Sequence, residues 1–310
     1  MVCVGLTLPT HAQQTPADGL AGAEDPPAAQ ELADGIYIEL IEPGERPQLR
    51  RFRYSVGESA TLRLVVDTQT KVDTGLGGDG EVLPALEQVL SVRVVDVDDE
   101  GTATIEGVID RVTLRPNENV RQHIFNAIDQ AVEPIRGARM SYRVDSHGNQ
   151  SDEKVTAPDG GSMTDPTMQQ SMLDAMKAAS TAIPREPFGV GAVWIECGTS
   201  TVNGVTTSNL STFTVEAIKG DSIYLRSDTT STLTPHFVED AMMPPGVQIR
   251  MDGSTIQGTA HSMFSLTSLQ SSIRTRTTGN VYMTIFENGQ ELAMRQWTSM
   301  AIEGATTGAQ

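Results

Sequence analysis

Val94-Val-Asp-Val97 runs into the turn Asp99-Glu-Gly101, and far downstream Val215-Glu-Ala-Ile218 runs into Lys219-Gly-Asp221. Each is an apolar strand that ends on a Gly-bearing polar turn and returns, so the chain writes one β-hairpin twice. Working outward, the flanks answer each other too. Val56-Gly57 leading into Thr61-Leu-Arg-Leu-Val-Val66 is matched by Val190-Gly191 leading into Val193-Trp-Ile195. Tyr142-Arg-Val-Asp-Ser-His-Gly-Asn149 is matched by Met283-Thr-Ile-Phe-Glu-Asn-Gly289. The pattern predicts a mainly β protein: duplicated antiparallel sheet units, forming a curved sheet, half-barrel or sandwich, with one or two short amphipathic helices.

Local patterning fills in this outline. Leu62, Leu64 and Val66 alternate with Thr61, Arg63 and Asp67, the period of a strand with one covered face. In Leu90-Ser-Val-Arg-Val-Val-Asp-Val97 the parity switches at Val94-Val95, which predicts a bulge or bend. Asn203-Gly204 and Asn288-Gly289 are two-residue hairpin signals, because a type I′ turn needs positive φ at both positions. Pro235, Pro244, Pro245 and Gly246 mark the stretch from Thr229 to Gly258 as a long irregular connection. Val193, Ile195 and Cys197 share parity and are assigned to one face, where Cys197 serves as a small hydrophobe if that face is the core.

Two segments carry helical spacing instead. Val120, Ile124, Ile128 and Val132 recur every fourth residue after Pro116. In the connector, Asp165 can cap, Pro166 takes the first helical position, and Met168, Met172, Leu173, Met176 and Ala179 make one apolar stripe that Pro184 ends. The organisation is then 1–12 a truncated signal peptide, 13–48 a largely disordered leader with a first short strand at Ile36-Tyr-Ile-Glu-Leu40, 49–160 the first β repeat, 161–186 the helical connector, 187–303 the second repeat and 304–310 a tail. Thr10-His-Ala12 before Gln13 reads as a cleavage site, so the protein is expected in the periplasm or outside the cell.

Composition narrows the function. With 22 Lys and Arg against 40 Asp and Glu, a net charge of −18 argues against nucleic acid and anionic membrane surfaces. No run approaches the ~18 apolar residues of a spanning helix. Asp96-Val-Asp-Asp-Glu-Gly101 opens like a calcium loop, but Gly107 stands where the bidentate acid belongs, and a plain turn is the better reading. His123, His147, His236 and His261 are dispersed singly, unlike zinc ligands. There is no Gly-x-Ser-x-Gly elbow and no Gly-rich phosphate loop, so neither catalytic residues nor a cofactor are expected.

The stretch Ile183-Pro-Arg-Glu-Pro-Phe-Gly-Val-Gly-Ala-Val-Trp194 resembles the segment that opens the second half in a family of exported bacterial β-proteins and lipoproteins without assigned activity. That family has Val-Gly-Asp-x-Trp where this chain has Ala192 in place of the Asp, and Tyr54-Ser-Val-Gly-Glu58 resembles its opening Tyr-x-x-Gly-Asp. The resemblance implies a secreted or periplasmic, often lipid-anchored protein. In outline the two-copy sheet with a helix across it is also similar to periplasmic lipoprotein carriers of the LolA and LolB type, a likeness of fold alone. The expected function is therefore an exported, non-enzymatic binding or scaffold protein for a hydrophobic small molecule, lipid or cell-envelope component. The alternatives are a structural, adhesive or self-assembling surface protein and, third, a hydrolase without a recognisable motif.

Met168, Met172 and Met176 are the candidate ligand-binding stripe, since flexible thioethers suit an adaptable apolar surface. Packing of the connector helix onto the sheet is the simpler reading of the same stripe. Met172→Asp separates the two: loss of hydrophobic-dye uptake with the circular dichroism spectrum intact marks a cavity, whereas global unfolding marks core packing.

Overall fold

The computed structural model describes residues 30–31, 36–73, 81–116, 120–161, 169, 172–173, 181–202, 205–237, 247–287 and 290–308. The described chain begins with β1 (Gln30–Glu31), β2 (Tyr37–Glu42) and β3 (Glu45–Gln48). A meander follows: β4 (Ser59–Asp73) with the short β5 (Glu81–Val82) beside it, β6 (Ala85–Val97) and β7 (Ala103–Arg115). Helix α1 (Gln122–Val132) then leads to β8 (Arg139–Val144) and β9 (Gln150–Thr156). The second half runs through β10 (Phe188–Val190), β11 (Val193–Val202), β12 (Val205–Lys219), β13 (Ser222–Leu233) and β14 (His236–Phe237). It closes with the long strands β15 (Val247–Ser265), β16 (Ser271–Glu287) and β17 (Gln290–Gly308).

One antiparallel sheet takes in nearly all of these strands, in the order β1-β2-β11-β12-β13-β15-β16-β17-β4-β6-β7-β8-β9. The two halves join where β17 pairs β4 from Arg295–Asp73 to Gly308–Ala60. Sequence neighbours pair because short turns reverse the chain at little entropic cost. β10 and β3 form a separate two-stranded ribbon.

The sheet is strongly curved, and two backbone hydrogen bonds show it. Phe52 N–H donates to Ser146 O at 2.8 Å and Arg53 N–H donates to Leu266 O at 2.7 Å. Ser146 follows β8 and Leu266 follows β15, six strand gaps apart in the sheet order. Laid flat, those gaps would separate the two turns by roughly 29 Å, far beyond what two consecutive residues span. The sheet therefore bends around the segment that carries Phe52.

The inner face holds the core. Trp194 is fully buried, stacked on Phe213 with ring centroids 5.3 Å apart and tilted against Phe188 at 5.8 Å. Ile38, Val215, Ile223, Leu225 and Phe264 surround it, and Phe52 and Ile183 arrive from loops to seal the end. A second cluster gathers Leu90, Ile109, Val112, Met140 and Val155 under α1's Val132, and a third joins Val94, Ala103, Ile105 and Val144. At the end of the strand order among the described residues, β9 shows the charged run Asp152-Glu-Lys154 and a register break, with Asp152 in the left-handed region at φ 55°. Such a bulged, charged edge resists further strand pairing.

The mainly β, antiparallel, curved architecture is the one the sequence predicts, and α1 lies within the predicted Asn117–Val132 segment. The parity switch at Val94 is a bulge: Val94 pairs Ile105 but Asp96 pairs Thr104. Its second-half counterpart is a bulge at Glu216, between the Val215–Leu225 and Ala217–Tyr224 pairs. The predicted turns at Asn203-Gly204 and Asn288-Gly289 lie outside the described residues, but the flanking pairs Val202–Val205 and Glu287–Gln290 leave two residues for each connection. So do the signal-like start, most of the leader and most of the connector, Met168 and Met176 included.

Three readings need correction, and one left open is decided. Residues 229–233 and 247–258, expected as irregular, are strand, because their β-branched and Thr-rich runs pair across β13 and β15 while the prolines lie outside those runs. Glu45 to Gln48, counted with the leader, and 304–308, counted with the tail, are strand as well, while the short strand expected at Ile36–Leu40 is met by β2. The face of β11, left open by the sequence, is decided by Trp194: the indole has the most apolar area to bury and faces the core, so Val193, Ile195 and Cys197 share the other face. The turn that stands beside the second-half hairpin is Ser265–Gln270, because Ser222 pairs Ser265 just as Ala103 pairs Val144; Met283–Glu287 lies a strand farther on, in β16.

Replacing Trp194 by Ala removes the centre of the main cluster and should lower stability by about 3–5 kcal/mol, read as a fall in the urea midpoint. Leu49→Ala, at a side chain 62% exposed, should stay within about 0.5 kcal/mol of the parent.

Candidate functional site

The side chains that form the site come from alternation along neighbouring strands. Counting across the sheet, Tyr224 on β13 faces Met263 on β15, then Ser272 on β16 and Ala305 on β17. The row continues through Arg63 on β4, Val89 on β6 and Arg111 on β7. Two residues along each strand, on the same face, a second row reads Arg226, His261, Arg274 and Glu303. It ends in Val65, Glu87 and Thr113. This face is the one opposite to Leu225 and Phe264, hence opposite to the core.

Between the two rows lies an open groove of about 550 Å³. Tyr224, Met263, Val65 and Ala305 supply its apolar surface, and Arg63, Glu216, His261, Arg274 and Glu303 its polar one. Glu216, the extra residue of the bulge between Val215 and Ala217, points to the same outer face, and its Oε2 lies 3.4 Å from His261 Nδ1. Arg274 pairs with Glu303 at 3.1 Å. At one end Lys219 lies over the Tyr224 ring, 5.1 Å from its centroid. At the other, Arg63 Nε donates to Glu87 Oε1 at 2.7 Å, Arg115 Nε donates to Glu87 Oε2 at 2.8 Å, and an Arg111 nitrogen stands 3.8 Å away.

Of the stripe Met168, Met172 and Met176, only Met172 is among the described residues, and it lies away from this groove. Met172 and the adjacent Leu173 are half-buried against the Leu90–Met140 cluster on the inner face, and Gln169 beside them donates to Val155 O at 3.3 Å. The calcium-like segment is a hairpin turn in which Asp98 Oδ1 accepts the backbone N–H groups of Glu100 and Thr102 at 3.0 and 2.9 Å. Asp145 does the same for His147 and Asn149 at 2.7 and 2.9 Å, so both first-half turns are Asx-type. His147 carries its backbone to Ile183 and is held below the usual imidazole range by burial. His236 Nδ1 meets Thr234 O at 2.7 Å. Sequence reading missed Arg63, Glu216, His261, Arg274 and Glu303, whose only shared signal is their cross-strand register.

Hydrogen bonds from Arg63 and then Arg115 hold the Glu87 carboxyl down at about 2. Its unfolded counterpart titrates near ~4.3, so the unfolded chain binds the proton first as acid is added. The stabilisation is full above pH ~4.5 and is lost progressively as pH falls toward ~2. Glu87→Gln should therefore flatten the acid limb of a stability–pH curve in that window, and a limb unchanged in the variant would place the acid sensitivity elsewhere.

The sequence matches no protein-family model and no curated protein.

Proposed function

We propose that this chain is an exported, non-enzymatic binding protein that takes a hydrophobic or amphipathic small molecule, such as a lipid or another cell-envelope component, on its outer sheet face. One observation carries the reading: the groove of about 550 Å³ crosses adjacent strands of one continuous sheet. Its volume falls among those of small-molecule sites, and a rigid β scaffold presents such a surface without reorganisation. The groove combines apolar side chains on its floor with charged groups already paired along it, the composition of a site that orients a ligand. The signal-like start and the resemblance around Trp194 support an exported setting.

The self-assembling alternative gains less from the fold. It needs regular edges, and β9 presents a bulge at Asp152 that opens the charged run Asp152-Glu-Lys154.

Native mass spectrometry of protein purified from its own host should show added mass that an organic extract releases as lipid or another amphiphile. Ala305→Trp, which fills the groove at an exposed position, should cut uptake at least tenfold with the circular dichroism spectrum unchanged. An empty protein that grows in light scattering with concentration would instead favour the structural role.

A further inference from the structure

Building on that reading, we infer that the groove is polar end to end: its Arg63 end is an anion site that receives the phosphate or sulfate headgroup of an amphiphile whose chain lies toward Tyr224. The argument begins with charge counted along the rows. At the Tyr224 end Lys219 and Glu216 offset one another, and Arg226 is paired with Asp228 at 3.0 Å. In the middle Arg274 is matched by Glu303. At the far end three guanidinium groups, from Arg63, Arg111 and Arg115, meet the single carboxylate of Glu87. Asp110, the extra residue beside Arg111 in the β6–β7 bulge, takes the Ser91 hydroxyl at 2.5 Å and keeps its own negative charge. One positive charge is left over there, in a chain whose net charge is −18.

Geometry then makes a clamp of that excess. Arg63 and Arg111 are the two cross-strand neighbours of Val89, so their backbones stand roughly 10 Å apart with an apolar side chain between them. Two long guanidinium side chains at that spacing can close on one tetrahedral anion seated over Val89, each offering a planar fork of donors. Glu87, whose side chain is only 11% exposed, anchors Arg63 by Nε, which fixes the direction of the fork. Arg111, 64% exposed and 3.8 Å from Glu87, is held more loosely and can swing onto a ligand. From Tyr224 to Arg63 the row crosses four strand gaps, roughly 19 Å, room for an extended acyl-type chain. The remote acidic residues act little here, because beyond ~8 Å their field is screened at physiological salt.

The test measures, by isothermal titration at submicellar concentration, dodecyl phosphate, dodecyl maltoside and inorganic phosphate on the full chain. The expected result is dodecyl phosphate binding at least tenfold tighter than the other two, with that preference lost in Arg111→Gln and the affinity for dodecyl maltoside unchanged. Equal affinity of the two dodecyl compounds, in the parent and in Arg111→Gln alike, would overturn the anion site while leaving the groove reading in place. Inorganic phosphate as tight as dodecyl phosphate would show a free-anion site and overturn the headgroup assignment. Failure of every dodecyl compound to bind would remove the groove reading and this inference with it. Thermal unfolding of Arg111→Gln at the parent's midpoint confirms that the comparison is between folded proteins.

Discussion

Two consecutive backbone donors, Phe52 to Ser146 and Arg53 to Leu266, impose the constraint on which the rest of the molecule depends. They tie the turn after β8 to the turn after β15, and a sheet of this breadth can satisfy both only by bending. The bend gives the two faces different fates. The inner face closes on Phe52 and Ile183, which arrive from loops, and on Phe188 of the small β10–β3 ribbon, and together they bury Trp194. Loop backbone so placed would be costly if its polar groups were left unpaired. Here Ile183 N–H reaches His147 O and Gly189 N–H reaches Pro43 O, both at 2.8 Å, so the plug is hydrogen-bonded to the turns that follow β8 and β2.

The opposite face is set by register alone. A shift of one residue between β17 and β4 would move Arg63 to the inner face and Leu64 to the outer one. Gly304 helps to hold the register: a Cβ there would come within 3.0 Å of Leu64 and 3.2 Å of Ile273, so those two side chains close over the glycine on the inner face. On the outer face the same pairing aligns Glu303 beside Arg274 and Val65, and Ala305 beside Arg63. Packing on one side thus positions charge on the other, and the groove needs no loop of its own to exist.

Much of the architecture was legible in the chain because the signals are local. Alternation in Thr61–Val66, the parity switch at Val94-Val95 and the four-residue spacing of Ile124, Ile128 and Val132 each reflect one element and its single neighbour. What could not be read depends on which strands meet. Val193, Ile195 and Cys197 looked as apolar as Trp194's face, and only the packing of the indole against Phe188 and Phe213 decides between the two parities. The prolines at 235, 244 and 245 outweighed the Thr-rich runs around them, although β13 and β15 continue close to the connection they mark. The candidate site was invisible for the same reason: Arg63, Glu216, His261, Arg274 and Glu303 come from five strands, and no spacing in one dimension brings them together.

The bulge at Glu216 shows how a repeated element can acquire a different use in each half. Both hairpins carry an extra residue on the strand entering the turn, Val95 in the first and Glu216 in the second. An extra residue increases the local twist and releases a side chain from the alternation, whatever that side chain is. In the first half the released residue is apolar, and the nearby turn is fastened by Asp98, whose carboxylate also takes a hydrogen bond from Arg143. In the second half the released residue is a carboxylate, and it reaches across β13 to His261 at the edge of the groove. The backbone device is common to the two halves; the chemistry follows from the one side chain placed on it.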